Sequence, residues 1–123
     1  MQTVVMVLGR ILFGGFFIMS GYNHFAKLPM MAGYTQSKGV PAAKAAVAFT
    51  GLLLLIGGVS TLFNFYPIVG LTALVLFLVP TTFSMHAYWK IQDPMAKMGE
   101  RVNFTKNLGL LGGTLILLSG LLN

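Results

Sequence analysis

Four long apolar runs, with nearly every charge confined to two of the gaps between them, limit what this chain can fold into. No residue between Lys44 and Lys90 carries a formal charge. A water-soluble domain needs a polar surface, and ~25% charged residues is usual. Here the charged fraction is 8%, the hydrophobic fraction 56% and the mean hydropathy +0.83. Lipid must therefore wet most of the exterior.

A bilayer core is ~30 Å thick and is crossed by ~20 apolar residues in a helix. The runs place spans at Val4–Tyr22, Ala42–Phe63, Phe65–Met85 and Lys106–Leu122, the last one short enough to need local thinning or snorkelling ends. The expected fold is all-α, an antiparallel four-helix transmembrane bundle forming a single domain over 1–123. The first run follows no basic segment and continues into Ser20-Gly21-Tyr22-Asn23-His24, so it reads as a retained span rather than a signal peptide.

A formal charge of +6 invites a nucleic-acid reading, but basic residues flank membrane spans for topological reasons. Lys27, Lys38 and Lys44 surround the first gap. Lys90, Lys97, Arg101 and Lys106 surround the second. The gap between spans two and three and both termini have none, which places the basic connections in the cytoplasm and the termini outside. Lipid, not nucleic acid, is the expected partner. The absence of cysteine removes thiolate nucleophiles, disulfide exchange and Cys-ligated clusters, so any redox work needs a bound cofactor or quinone.

Pro41 and Pro67 fit first helical turns, Asn64 can cap span three, and Asn103 or Thr105 can cap span four. Pro80 falls inside span three, where it should bend the helix, with Thr81 and Thr82 offering local hydrogen bonds. The pairs Gly14-Gly15, Gly57-Gly58 and Gly112-Gly113, with Gly109, suit close helix approach in lipid, or room for a ligand. Phe25–Val40 reads as a short interfacial segment after Pro29 or a hydrated loop.

Arg10 lies within the first span, at a cost of ~2.5–3.5 kcal/mol if held at the centre. It either snorkels outward, toward Asn64 and Asn123, or anchors an anionic or carbonyl ligand. His24 ends span one and His86 ends span three, so an up-down path makes the imidazoles neighbours, in a layer with Lys27, Tyr88, Trp89, Glu100 and Lys106. They are interfacial residues bonded to loop carbonyls, or a polar pocket for a quinone head group or a proton. Haem ligation is disfavoured because both lie at the rim. Trp89 and Tyr88 suit the headgroup boundary. Asp93-Pro94 resembles a turn, and Glu100 next to Arg101 and near Lys106 resembles local charge compensation. No HExxH, phosphate loop or nucleophile elbow occurs, and no metal site is expected.

Three stretches resemble the DoxX-like family of small four-helix membrane proteins. The first is Arg10 with Ser20–Lys27 (SGYNHFAK), the second Pro80–Trp89 (PTTFSMHAYW), and the third Asn103–Gly113 (NFTKNLGLLGG). The resemblance implies a multi-pass protein of the bacterial inner membrane, in a family whose namesake belongs to a thiosulfate:quinone oxidoreductase. It also implies that Arg10, His24, Lys27, His86, Trp89, Lys106 and Asn107 form one ligand-binding cluster. The function expected is a membrane subunit or accessory of a quinone-linked redox system, with partner redox subunits or a second copy alongside. The alternative is a non-catalytic assembly protein that docks partner helices; a small-solute transporter ranks third. Whether any reaction is catalysed, the sequence leaves open.

Overall fold

The computed structural model describes residues 1–122, all of it helix and connecting turns. Five helices follow one another: α1 (Gln2–Ala26), α2 (Leu28–Ser37), α3 (Ala43–Phe63), α4 (Pro67–Met85) and α5 (Pro94–Ser119), with a single 3-10 turn at Tyr88–Lys90. α1, α3 and α4 are long and apolar enough to cross a membrane. α1 packs on α3, α3 on α4 and α4 on α5, while α2 lies against α3 and the end of α1.

Hydrocarbon offers helices no hydrophobic reason to associate, so close packing has to hold them together. At the α1–α3 contact, a Cβ on Gly14 would stand 2.8 Å from the Gly58 carbonyl oxygen, and one on Gly58 would stand 2.8 Å from the Ile18 nitrogen. Gly21 and Gly51 continue the seam, Gly51 lying beneath His24 and Phe25. Between α3 and α4, Gly57 receives Leu74, and Gly70 leaves space for Ser60. Phe17, Leu54, Leu74 and Leu78 form the centre of the buried core, with Leu110, Leu111 and Leu118 of α5 against it.

The glycines divide into two groups. Those at the α1–α3–α4 contacts are filled by neighbours, as the packing reading requires. Gly15, Gly109, Gly112 and Gly113 meet nothing within 4 Å.

Several boundaries differ from the sequence expectation. α5 begins at Pro94, not Lys106, because Asp93 caps it: its carboxylate accepts the Ala96 N–H at 2.9 Å. Asp93-Pro94 is thus a helix start, and Asn103 and Thr105 lie inside the helix. Asn64 does not cap α4; it ends α3 in the left-handed region (φ 54°). Tyr66 (φ 48°) precedes Pro67, and the Ser60 hydroxyl holds this tight turn against the Phe65 and Tyr66 carbonyls at 2.6 and 2.9 Å. Pro41 sits ahead of the first turn of α3. At Pro80 the helix runs on, and Ser84 rather than the threonine pair supplies the local bond, donating to the Pro80 carbonyl at 2.6 Å. The Thr82 hydroxyl is buried without a partner among the described residues.

Candidate functional site

The end of α1, the end of α4, the inner face of α2 and the middle of α5 converge on one cavity of about 310 Å³. Its apolar wall comes from the core, chiefly Phe17, Phe77 and Leu78, and its polar edge from His24, His86, Lys106 and Asn107. Met31, Tyr34 and Thr35 roof it from α2. The segment after Pro29 is therefore helical, as one of the two sequence readings held, and it covers the cavity with one face.

His24 is buried, 8% exposed, with its ring edge against Phe77. Its Nδ1 lies 2.8 Å from the Ser20 carbonyl oxygen, which can only accept. A neutral His24 is therefore protonated at Nδ1, leaving the Nε2 lone pair without a protein partner among the described residues. The local cause is the helix itself: Ser20 is one turn earlier on the same face. His86 reaches the same cavity from the end of α4, and its Nδ1 lies 3.0 Å from Glu100 Oε1.

Glu100 is the hub of the polar network. Tyr34 and Lys38 of α2 both bind its Oε2, the Lys38 ammonium at 2.6 Å, while Asn103 donates to Oε1 at 3.0 Å. Burial pushes the carboxyl up, but bonds from Lys38, Tyr34, Asn103 and His86 outweigh it and bring the group down to about 2. Glu100 is ionised at neutral pH, so His86 Nδ1 donates to it. Burial first, and then the neighbouring Glu100, drive the Tyr34 hydroxyl well above its ordinary range. The expectation that Glu100 offsets Arg101 and Lys106 is corrected: its cation is Lys38, brought over by α2, while Arg101 stands over the Tyr88 ring at 5.8 Å and Lys106 over the Phe16 ring at 5.7 Å.

Asn107 is 5% exposed and lines the cavity, yet its amide has no protein partner among the described residues. The amide is open to the cavity, where a ligand or water can meet its donors and acceptor.

Of the seven residues grouped from sequence, His24, His86, Lys106 and Asn107 line this cavity. Arg10, Lys27 and Trp89 do not. Arg10 lies at the far end of α1 and is half-buried, without a hydrogen bond or ion pair among the described residues. Asn64 is not its partner, and Asn123, the other expected neighbour, lies outside the described residues. Lys27 is exposed at the α1–α2 junction. Trp89 is 50% exposed and stacks edge-on with Tyr88 and Phe104. No group of three metal-ligating side chains occurs among the described residues.

Residues 5–87 match the sequence model of the DoxX family, which covers well over half of the chain. The chain belongs to the DoxX family. Together with three spanning-length apolar helices, this makes it a multi-pass membrane protein. The DoxX match takes in α1 to α4 with both histidines and ends before α5, so Glu100, Lys106 and Asn107 lie beyond it. No curated protein and no solved structure matches this DoxX chain.

Proposed function

We propose that this DoxX protein is a membrane subunit or accessory of a quinone-linked redox system, and that it holds the head group of a quinone or similar amphiphile in the cavity below α2. The observation that carries this reading is the pairing of an apolar wall with a polar edge of His24, His86, Lys106 and Asn107, where both imidazole Nε2 atoms and the Asn107 amide have no protein partner among the described residues. Ligand sites have this make-up, mostly apolar with few convergent polar groups, over ~300–1,000 Å³. At about 310 Å³ the cavity suits a ring-sized head group whose tail leaves into lipid.

α5 completes a four-helix antiparallel transmembrane arrangement in this reading, its charged first half lying at the headgroup level and its apolar half entering the bilayer. The basic connections sit on the cytoplasmic side of a bacterial inner membrane, and the cavity opens toward that leaflet. Extraction in a mild detergent followed by lipid analysis tests the ligand. A quinone retained in molar proportion supports the proposal; protein free of quinone that also fails to take up an added short-chain analogue refutes it.

A second reading has its own observation. Gly109 and Gly113 lie one turn apart on α5 and face open space, a spacing suited to a partner helix. In that reading the protein is a non-catalytic assembly factor, and enlarging Gly113 removes the partner without disturbing the cavity.

A further inference from the structure

The chain has two acidic side chains against eight lysines and arginines, and the fold commits both acids. Asp93 caps α5 by accepting the Ala96 N–H at 2.9 Å. Glu100 is paired with the Lys38 ammonium at 2.6 Å and with His86 at 3.0 Å, and it is not among the residues that line the cavity. The lining therefore presents no carboxylate.

One formal cation does line it. Lys106 of α5 has its ammonium over the Phe16 ring of α1 at 5.7 Å, and both side chains belong to the cavity lining while being exposed. α1 packs on α3 and α5 on α4, and α1 and α5 make no extended backbone contact with each other among the described residues. The ammonium is thus held across a side opening by a weak cation–π contact, with no ion-pair partner among the described residues. Beside it in sequence, the Asn107 amide is 5% exposed and open to the same cavity. Burial and Glu100 keep the Tyr34 hydroxyl protonated, and the two imidazoles are neutral or cationic. The Ser20, Thr35 and Thr81 hydroxyls can turn toward a donor or an acceptor. The formal charge of the lining is positive.

We infer that the cavity takes an amphiphile with an ionised oxygen on its head group, the anion meeting the Lys106 ammonium and the Asn107 amide at the opening between α1 and α5. This rests on the quinone-linked reading above and adds the charge of the ligand. An ammonium beside an apolar wall is less screened than one on an open surface, so a matched anion gains more there. A neutral carbonyl accepts from the same donors without that added attraction. The ionised oxygen can belong to the ligand's own ring or to a lipid phosphate that reaches into the opening.

The test uses the full chain at pH 8 in nanodiscs of phosphatidylcholine, which carries no net charge. Two probes share one skeleton: a heptyl hydroxynaphthoquinone, ionised under these conditions, and its neutral methyl ether. After correction for partition into empty discs, the anion is expected to bind about tenfold more tightly, the low end for a hydrogen bond to a charged group because Lys106 is exposed. Lys106→Met should remove the preference and Lys106→Arg should keep it. Lys97→Met, at an exposed lysine of the same helix outside the cavity, should keep it too. A preference that survives Lys106→Met, or that falls equally with Lys97→Met, overturns the inference, because the anion then answers only to overall charge. Equal binding of both probes to the wild type also overturns it while leaving an amphiphile site in place, and this comparison stands alone should Lys106→Met not fold. Failure of both probes to bind removes the quinone-linked reading itself. Discs of phosphatidylglycerol identify the source of the anion: a preference kept there assigns it to the ligand head group, and one abolished there assigns it to lipid phosphate.

Discussion

Tyr34 of α2 and Glu100 of α5 are joined through the phenol hydroxyl and the carboxylate, across 66 positions of sequence. Lys38 adds its ammonium to the same oxygen at 2.6 Å. These two side chains tie the roof of the cavity to the helix that carries Asn107.

Substituting Glu100→Gln should therefore loosen α2 before it damages the spans. Removing a charge that receives four bonds costs about 2 kcal/mol at a site that is largely but not wholly buried. Hydrogen–deuterium exchange is expected to rise across Leu28–Ser37 and to change little within α3. Unaltered exchange in α2 would mean that α2 is held by its packing on α3 alone.

The same network sets a pH dependence. The Glu100 carboxyl titrates at about 2 in the folded protein, against an ordinary value of 4.5. A lowered folded value means that the stabilisation is present above about 4.5 and is lost progressively as pH falls toward 2. Melting temperature should drop through that window more steeply for the wild type than for Glu100→Gln. Parallel curves would show that Glu100 is not held as described.

Glycine substitutions should split according to what surrounds them. Gly58→Leu drives a side chain into the Ile18 nitrogen and the Gly14 carbonyl, so α1 and α3 must separate and the detergent-solubilised protein should aggregate. Gly113→Leu meets nothing within 4 Å and should leave the melting temperature within a degree or two. Equal tolerance of both would contradict the seam assigned to α1 and α3.

Asn107→Leu separates binding from folding. The amide lines the cavity and makes no protein bond among the described residues, so its loss leaves no protein partner unsatisfied. Thermal stability should hold or rise slightly, while affinity for a short-chain quinone or quinol falls about tenfold. A large loss of stability would place the amide in a structural role.

Apolar runs made the membrane helices legible in the sequence, because lipid exposure tolerates so few polar side chains. The positions of His24 and His86 followed from the helix ends. The start of α5 was hidden by Lys97, Glu100 and Arg101, which look like loop residues in a lipid-bound chain, although Asp93 followed by Pro94 is a recognised helix start. Glu100 was assigned to its sequence neighbours, since nothing local shows that α2 folds back to bring Tyr34 and Lys38 to it. Arg10 and Trp89 drew notice by residue type alone, and residue type does not place a side chain in a cavity.

The most direct check on the cavity is nitrogen NMR of protein labelled at its two histidines, followed as a short-chain hydroquinone is added. The account predicts that both Nε2 resonances move and saturate together, while both Nδ1 resonances stay near their starting positions. Nε2 signals that ignore the ligand, or that shift only in step with detergent, would show that these imidazoles do not meet a head group.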